Sequence, residues 1–343
     1  MLTEVDLELI HALQLRPRAA WAELGRTLNV DAVTAARRFG RLADRGEAWV
    51  AVSPGPRLFE QLCVAFVEID CTAGAAAAVS ATLGSHPHAV TIERSADTHR
   101  ILATVATADV GAMGYYTLDV LSSVPGIAAV RTRIVTHMFT EGGSWQIDAL
   151  DPAQRARLLP PSDKARSDEA RGGHEITARD RLLLRELYHD GRASHQALAR
   201  ASESTAHSVR RRLDRLMRLG LLRFRCDFAR PLGGWPVAVT FWATAPVKEL
   251  SVIGHALVRL PEVRNCAAVT GDHNLVVQAS LHSVSDVLRL ETRLADTHDR
   301  LTVTERTMTL RHDKLLGRLL DPSGRSVGVV PPDVWREPGC GLG

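Results

Sequence analysis

Residues 206–219 read AHSVRRRLDRLMRL, with Thr205 before them and Gly220 after them. Apolar residues recur there at helical spacing and predict one buried stripe, made of Val209, Leu213, Leu216 and Leu219. Thr205 is a suitable N-cap, and Gly220 is a suitable C-terminal stop. The opposite face carries several arginines. A short helix that is apolar on one side and cationic on the other is typical of a helix that enters a DNA groove.

Length and composition allow this interpretation without requiring it. The 343 residues suffice for two or more domains, each with a core of its own. Because the formal net charge is only +3, a nucleic-acid partner must be argued from where the charges lie. The five cysteines show no CxxC pair or metal spacing, which suits a reducing compartment. Neither a signal peptide nor a membrane-length apolar run is evident, so we expect a cytoplasmic protein with no membrane partner.

The chain repeats itself at a displacement of 174 residues. The repeat aligns Thr3-Glu-Val-Asp6 with Thr177-Ala-Arg-Asp180, Arg18 with Arg192, Arg37-Arg38 with Arg211-Arg212, and Gly46 with Gly220. Chance matches would not concentrate on helix caps, core positions and arginines in one register. We therefore interpret the chain as a tandem duplication, in which the helix predicted over Ala206–Leu219 has a counterpart over Ala32–Arg45.

Each half begins with three helical patterns, of which the second and third form a helix-turn-helix. The rest of each half follows the order βαββαβ, which is typical of a ferredoxin-like sandwich. The predicted fold class is therefore α+β, with two winged/helix-turn-helix domains and two ferredoxin-like domains in tandem. The predicted domains are residues 1–53 and 176–228 (helix-turn-helix), 58–140 and 233–312 (ferredoxin-like), 141–175 (linker) and 313–343 (irregular tail).

The cationic helix face has a simpler alternative, because a charged face alone is more often a solvated surface of a module that merely packs. The same Arg-Arg-x-x-Arg pattern, however, occurs at the same point of both three-helix units. It consists of Arg37, Arg38 and Arg41 in the first half and of Arg211, Arg212 and Arg215 in the second. This repetition favours DNA binding.

The order helix-turn-helix then βαββαβ resembles the Lrp/AsnC (feast/famine) family of prokaryotic transcriptional regulators. The matching stretches of the second half are Ile176-Thr-Ala-Arg-Asp180, Gly191-Arg-Ala-Ser194, Ala197-Leu-Ala199, Val209–Gly220, Leu260-Pro-Glu-Val263, Val269-Thr-Gly-Asp272 and Arg306-Thr307. In the first half they include Arg37-Arg38, Pro125-Gly126-Ile127 and Val130-Arg-Thr132. Typical members have one such unit, and this chain has two. The resemblance implies double-stranded DNA as a partner and a homo-oligomer, here a dimer of fused chains.

The predicted DNA contacts lie on the two third helices. They are Thr34, Arg37, Arg38, Arg41, His207, Ser208, Arg211, Arg212 and Arg215. Arginines can pair with phosphates or reach guanine edges in the major groove, and helix position alone does not separate these roles. Because the two helices differ in sequence, we expect an operator that is an imperfect palindrome, with the stronger half-site read by the second helix.

The resemblance also implies a small-molecule effector, such as an amino acid, near the Gly-Asp turn of the second half. The implied residues are Thr270, Gly271, Asp272, His273 and Asn274. Glycine permits a tight turn, and the Asp272 carboxylate can hold an ammonium group; the alternative is an ordinary hairpin turn. The first half has Ser95-Ala96-Asp97-Thr98-His99 instead, without the glycine, so an effector site there is in doubt.

Other sites find little support. His86-Pro-His88 is spaced like a metal pair but has no carboxylate partner in view, so no metal and no cofactor is predicted. No phosphate loop or hydrolase motif is present, so no catalytic residue is predicted. Siroheme decarboxylases are the enzyme alternative, since they share this architecture and also occur as fused pairs. They carry an Arg/His-rich stretch ending in aromatics where residues 263–272 have one arginine and no aromatic. A third possibility is an effector-binding protein that has lost DNA binding.

Overall fold

The computed structural model describes residues 1–97, 99–159 and 176–339. They form two compact units, each of which takes one domain from each half of the chain. The first, here called the helical unit, comprises Met1–Glu60 and Gln146–Ala229, and the second, the barrel unit, comprises Gln61–Trp145 and Arg230–Gly343. The polar segment from Pro160 to Gly173, predicted as a linker, lies outside the described residues.

The first half shows the element order that the sequence predicts. It contains α1 (Glu4–Leu15), α2 (Trp21–Leu28), α3 (Ala32–Asp44), β1 (Ala48–Pro54), α4 (Pro56–Phe59), β2 (Cys63–Cys71), α5 (Ala76–Gly84), β3 (Ala89–Ser95), β4 (Arg100–Thr107), α6 (Val110–Tyr115), β5 (Ile127–Thr140) and α7 (Pro152–Leu158). The second helix of this ferredoxin-like domain is α-helical only through α6. It continues as a π-helical turn, Tyr116–Val120, and a 3-10 turn, Leu121–Ser123.

The second half repeats this order. It contains α8 (Ala178–His189), α9 (His195–Ala201), α10 (Ala206–Arg218), β6 (Leu222–Phe228), β7 (Val237–Thr244), α11 (Leu250–Leu257), β8 (Val263–Val269), β9 (Leu275–Leu281), α12 (Ser285–Thr297), β10 (Thr302–Leu315), β11 (Arg318–Leu320) and β12 (Ser326–Val329). The α+β class with paired helix-turn-helix and ferredoxin-like domains is thereby confirmed. The tail is a correction: the region from residue 313, predicted as irregular, completes β10 and adds the strands β11 and β12.

In each helix-turn-helix, a left-handed residue joins the second helix to the third. Asn29 has φ 55° and its repeat equivalent Glu203 has φ 49°. The turn is closed in both copies by the same backbone bond, which reaches the carbonyl of Gly25 in one and of Ala199 in the other over 2.9 Å. In the first copy a Cβ at Gly25 would lie 2.6 Å from the carbonyl oxygen of Val30, so this turn is tighter than the second copy, which has Ala199 at the same place.

The two helix-turn-helix domains pair through β1 and β6, which run antiparallel with Ala51 opposite Arg225. These two residues are repeat equivalents, so the pairing has an internal two-fold relation. Two arginines that are equivalent in the repeat, Arg18 and Arg192, each bind backbone carbonyls of the other domain. Arg18 donates to the carbonyls of Gly191 and Ala193 at 2.6 and 2.9 Å. Arg192 donates to those of Pro17 and Ala19 at 2.6 and 2.8 Å, so each arginine binds the other copy's loop.

We expect Arg192→Lys to lower the free energy of unfolding by about 1–2 kcal/mol. Lysine keeps the charge but lacks the planar fork that binds two carbonyls at once, and the Arg192 guanidinium also lies 4.0 Å from the ring centre of Trp21. Urea unfolding measures the loss. Arg26→Lys, on an α2 residue outside this exchange, is the control, and equal stability of the two variants would contradict the prediction.

The barrel unit contains a closed ring of strands. The sheet order is β12-β11-β10-β3-β4-β2-β5-β8-β9-β7, and β10 pairs with β7 as well as with β3. All strands of this sheet except β11 and β12 therefore form the ring. The two sheets join where β5 pairs with β8 and where β10 pairs with β3, and these two junctions are equivalent in the repeat. Val135 lies opposite Val269 in the first junction, and Thr309 lies opposite Ser95 in the second. Two ferredoxin-like sheets thus join edge to edge twice.

The described residues of the barrel unit include three apolar clusters. One packs α5 and α6 against the first sheet and includes Ile92, Met113 and Tyr116. A second packs α11 and α12 against the other sheet and includes Phe241 and Leu290. The third lies on the opposite sheet faces, inside the ring. It contains Phe66, Leu102, Trp242, Ala267, Val269 and Val276. Burial on both faces explains why these strands lack a simple polar alternation.

The segment of residues 146–159 belongs to the helical unit. His11 of α1 is buried, and its Nδ1 accepts hydrogen bonds from the backbone N–H groups of Ala149 and Leu150 at 3.1 and 3.0 Å. Burial lowers the pKa of His11 to about 4, so the ring is neutral at ordinary pH. Residues 146–159, assigned to a linker from sequence, therefore extend the first helix-turn-helix domain. No helix in the described part of the chain is long and apolar enough to cross a bilayer.

Candidate nucleic-acid interface and effector site

The third helices, α3 and α10, turn one face to the core and the other to solvent. Val209, Leu213 and Leu216 are buried on α10, as Ala35, Phe39 and Leu42 are on α3. Asp31 caps α3 by accepting from the N–H of Val33 at 2.8 Å, and Thr205 caps α10 by accepting from that of Ser208 at 3.1 Å. Both helices end one residue earlier than predicted, before glycines with left-handed φ.

Most of the predicted DNA-contact residues lie on the exposed faces of these helices. They are Thr34, Arg37 and Arg41 on α3 and His207, Ser208, Arg211 and Arg215 on α10. Within residues 1–97, 99–159 and 176–339, Arg37, Arg41 and Arg211 have no ion-pair partner. A cationic surface of this kind attracts phosphates, because its charge is not compensated by neighbouring carboxylates.

Two predicted contacts, Arg38 and Arg212, are instead half-buried and bind the first helix of their own domain. Arg38 forms an ion pair with Asp6 at 2.8 Å, and the guanidinium of Arg212 grips the carboxylate of Asp180 with two nitrogens. The same carboxylates close the capping boxes of Thr3 and Thr177. The sequence predicted the caps but not the ion pairs, because pairing needs α1 and α8 to lie against the third helices.

These ion pairs shift the titration of the acids. Burial by itself raises the pKa of Asp180, but hydrogen bonds from Arg212 and Thr177 outweigh it, so the pKa lies below its ordinary value. The pKa of Asp6 is lowered in the same way, against burial, by Thr3 and Arg38. Both acids are therefore charged at neutral pH and hold the third helices against the first.

The predicted effector residues form the turn between β8 and β9. Thr270 is joined to Ile134 by two hydrogen bonds, of 2.9 and 3.0 Å, and the Asn274 side chain binds both backbone groups of Ala245. The ring of His273 lies 2.9 Å from the Thr304 hydroxyl. These three residues therefore brace the turn, while Asp272 is exposed.

The glycine of this turn leaves space for an arginine. Gly271 has φ 107°, and a Cβ there would lie 3.0 Å from a guanidinium nitrogen of Arg133. Arg133 binds the buried carboxylate of Glu68 at 3.2 Å and stacks 4.7 Å from the ring centre of Trp242. Sequence reasoning missed this buried group, since its members come from three strands. The turn is thus a close-packed corner of the ring next to a buried ion pair.

The residues of the His86-Pro-His88 motif are used for packing. The Nδ1 of His86 lies 2.9 Å from the Tyr116 hydroxyl, and the Nε2 of His88 lies 2.9 Å from the carbonyl oxygen of Arg336. Burial lowers the pKa of His86 to about 4. Among the described residues, no cluster of three or more His, Cys, Asp or Glu side chains is arranged to hold a metal ion.

Two domain families match the chain. The AsnC-type helix-turn-helix domain matches residues 2–43, and a winged helix-turn-helix DNA-binding domain matches residues 176–223. An uncharacterised HTH-type transcriptional regulator of Pyrococcus abyssi is 32% identical over 112 residues, which are 32% of this chain and 70% of that protein. A regulator of the same description from Pyrococcus horikoshii is 27% identical over 116 residues, 34% of this chain and 73% of that protein.

The whole tandem arrangement resembles a solved enzyme. The siroheme decarboxylase NirDL has a TM-score of 0.57 and 10% identity, over 95% of both chains. Its complex with an iron-uroporphyrin III analogue has a TM-score of 0.58 and 11% identity, over 91% of this chain and 93% of that one. At this level of identity the likeness extends to the fold alone.

Proposed function

Since the chain belongs to the Lrp/AsnC family of DNA-binding transcriptional regulators, we propose that it recognises one specific operator with α3 and α10 together. The observation that carries this proposal is the exposed cationic face present on both helices of one unit. Thr34, Arg37 and Arg41 supply one half-site reader, and His207, Ser208, Arg211 and Arg215 supply the other. Arg38 and Arg212 act mainly by holding these helices in place.

The operator is an imperfect palindrome in this proposal. A dimer of identical subunits reads two identical half-sites, whereas here the readers differ in sequence. The second reader also carries Arg210, which has no basic counterpart in α3, so it binds the stronger half-site. Selection of bound fragments from a random DNA pool, followed by footprinting, tests this. Recovery of no enriched sequence would exclude sequence-specific binding.

The barrel unit has two further proposed roles, effector binding and oligomerisation of the fused chain. The effector is an amino acid or a related metabolite held at Thr270, Gly271, Asp272, His273 and Asn274. The bracing of the turn by three of these residues supports a preformed site, with the exposed Asp272 carboxylate as the partner of an ammonium group. Light scattering with and without the effector measures the oligomeric state.

An amino-acid effector is expected to stabilise the protein against heat, and Asp272→Ala is expected to abolish that stabilisation. A ligand present at 100 times its Kd stabilises by about 2.7 kcal/mol, which is a readily measured rise in Tm. Asp97→Ala, which removes a carboxylate from the corresponding turn of the first half, is the matched control and should keep the full shift. The same shift in both variants would remove Asp272 from the site.

A tetrapyrrole enzyme is the second candidate, because the likeness to siroheme decarboxylase spans both halves of the chain. The single arginine and the absence of an aromatic residue in residues 263–272 disfavour it. Titration with siroheme separates the two functions. A change in tetrapyrrole absorption without retention of any DNA would favour the enzyme, and DNA retention with no absorption change would favour the regulator.

A further inference from the structure

The barrel unit holds a small polar cavity that the proposed regulatory function does not use. Its volume is about 40 Å³, and its polar lining includes Glu93, Arg230, Arg264, Gln278, Ser280 and His312. These residues come from β3, β8, β9, β10 and the segment before β7. None belongs to the turn of residues 270–274, so the cavity is a separate site.

Two arginines give the cavity its donors. Arg264 is 5% exposed and Arg230 is 8% exposed. Arg264 donates to the carbonyl of Gly142 at 3.2 Å, and its guanidinium lies 5.0 Å from the ring centre of Trp145. A guanidinium carries five N–H donors in a rigid fork, so it can bind a carboxylate while it keeps its protein partners.

A buried hydroxyl on the wall lacks a partner. Ser280 of β9 is 2% exposed, and within the described chain its Oγ makes no hydrogen bond. Buried polar atoms are nearly always paired, with protein, water or a ligand. An unpaired hydroxyl beside a cavity therefore points to an occupant that accepts a hydrogen bond from it.

An acidic group limits where a negative charge can lie. Glu93 accepts hydrogen bonds from Gln278 at 2.8 Å and Thr309 at 3.1 Å, and it lies 3.2 Å from His312. Burial alone would raise the pKa of Glu93, but these partners lower it below its ordinary value, so the group is charged. A bound anion would therefore lie toward the arginines and away from Glu93.

The internal repeat shows that this lining is specific to one place in the barrel. The repeat equivalent of Arg264 is Val90, that of Ser280 is Ala106, and that of His312 is Met138. Glu93 corresponds to Ala267. A merely structural requirement of the closed ring would apply at both equivalent positions. The polar set is instead found at one of them.

The cavity wall also contains a strained residue. Leu316 lines the cavity and has φ 46°, a left-handed conformation that is costly for a leucine. With Gly317 it forms the two-residue turn between β10 and β11, where asparagine and glycine are preferred. Such strain is concentrated at ligand sites.

We propose that this cavity binds a small carboxylate anion, held by the guanidinium of Arg264 and by Ser280 Oγ–H. Since one water needs about 10–15 Å³, the volume corresponds to about three or four waters and thus to a ligand the size of acetate or glycine. The proposal is independent of the regulatory function, because binding is measured without DNA.

The test is isothermal titration of the full chain with acetate, with glycine, and with the uncharged acetamide. We expect one acetate or glycine per chain and at least tenfold weaker binding of acetamide. Ser280→Ala should weaken acetate binding about tenfold, because a hydrogen bond to a charged group is lost. Arg264→Gln should weaken it by about a hundredfold or more, once thermal unfolding has shown that the variant is folded.

Ser251→Ala is the matched control, because it removes an exposed hydroxyl from α11 and leaves the cavity lining intact; its acetate binding should equal that of the wild type. Failure of acetate and glycine to bind the wild type would overturn the proposal, since the cavity then holds water alone. Binding that Ser280→Ala and Arg264→Gln leave unchanged would also overturn it. If Arg264→Gln does not fold, the result with Ser280→Ala decides.

Discussion

The double variant Arg211→Ala/Arg215→Ala is expected to bind the operator about 100-fold or more weakly than the wild type. Each arginine that contacts a base edge or a phosphate contributes about 1–3 kcal/mol. Both residues are exposed on α10, one turn apart, so both can reach the same groove. Gel retardation at fixed salt, on the operator obtained by selection, measures the loss.

The salt dependence separates phosphate contacts from base contacts. If both arginines bind phosphates, the slope of log K against log salt should decrease by about 2, since each phosphate contact contributes about 0.9. Base contacts would leave the slope nearly unchanged and relax the sequence preference at particular positions. The footprint then shows which half-site has weakened.

The matched control is Arg289→Ala/Arg293→Ala. These arginines have the same four-residue spacing and lie on α12 of the barrel unit, so the double variant removes the same charge without touching a third helix. We expect its DNA affinity to stay within about twofold of the wild type, because neither arginine lies on a helix proposed to contact DNA and exposed charges are screened at ordinary salt. Equal losses in the two double variants would mean that only total charge matters.

The corresponding variant of the first half, Arg37→Ala/Arg41→Ala, should weaken binding at the other half-site. We expect a smaller loss than for α10, because α3 has three arginines where α10 has five, and a weaker half-site contributes less to the total affinity. Unaltered binding by this variant would indicate that only the second helix-turn-helix contacts DNA.

The second large effect is on stability. Arg212→Met should lower the free energy of unfolding by about 3 kcal/mol at neutral pH, because it leaves a buried carboxylate without its cation. The Asp180 side chain is 1% exposed. The matched variant Arg38→Met should cost only about 1 kcal/mol, because the Asp6 side chain is 13% exposed and is partly solvated once its partner is gone.

The pH dependence follows from the lowered pKa of Asp180. A carboxyl whose pKa is lower in the folded than in the unfolded state stabilises the protein above its unfolded pKa and loses this contribution as the pH falls through the folded value. Removing Arg212 raises the pKa of Asp180 in the folded protein. The folded variant therefore takes up a proton more readily than the wild type, and acidification raises its stability relative to the wild type. The difference in stability between Arg212→Met and wild type should therefore shrink below about pH 4.

Urea unfolding at neutral and acidic pH measures these values, and a double-mutant cycle with Asp180→Asn isolates the coupling between the two side chains. A coupling near zero would show that the ion pair does not stabilise the fold. DNA binding that falls with no loss of stability would instead make Arg212 a direct DNA contact.

Local patterns predicted most of the helical unit correctly. The capping residues and the helical spacing of apolar residues gave α3 and α10 to within one residue, because helices depend on contacts between residues three and four apart. The π-helical continuation of α6 and the ordered tail were missed. The strand β11 pairs with β10, and β12 pairs with β11. Both strands are short and lie in a tail with many Pro and Gly residues, so the local sequence gave no clear strand pattern.

The amino-acid sequence by itself determined the duplication, the two kinds of domain and the cationic helices, since each follows from spacing along the chain. Only the tertiary structure decided that Arg38 and Arg212 bind the first helices. It also decided that Arg18 and Arg192 each bind a loop of the other domain. In the barrel unit, it placed Glu93, Arg264 and Ser280 around one cavity. The physical reason is that ion pairs and cavities join residues distant in sequence. Their partners are chosen by strand register and helix packing, which no local pattern encodes.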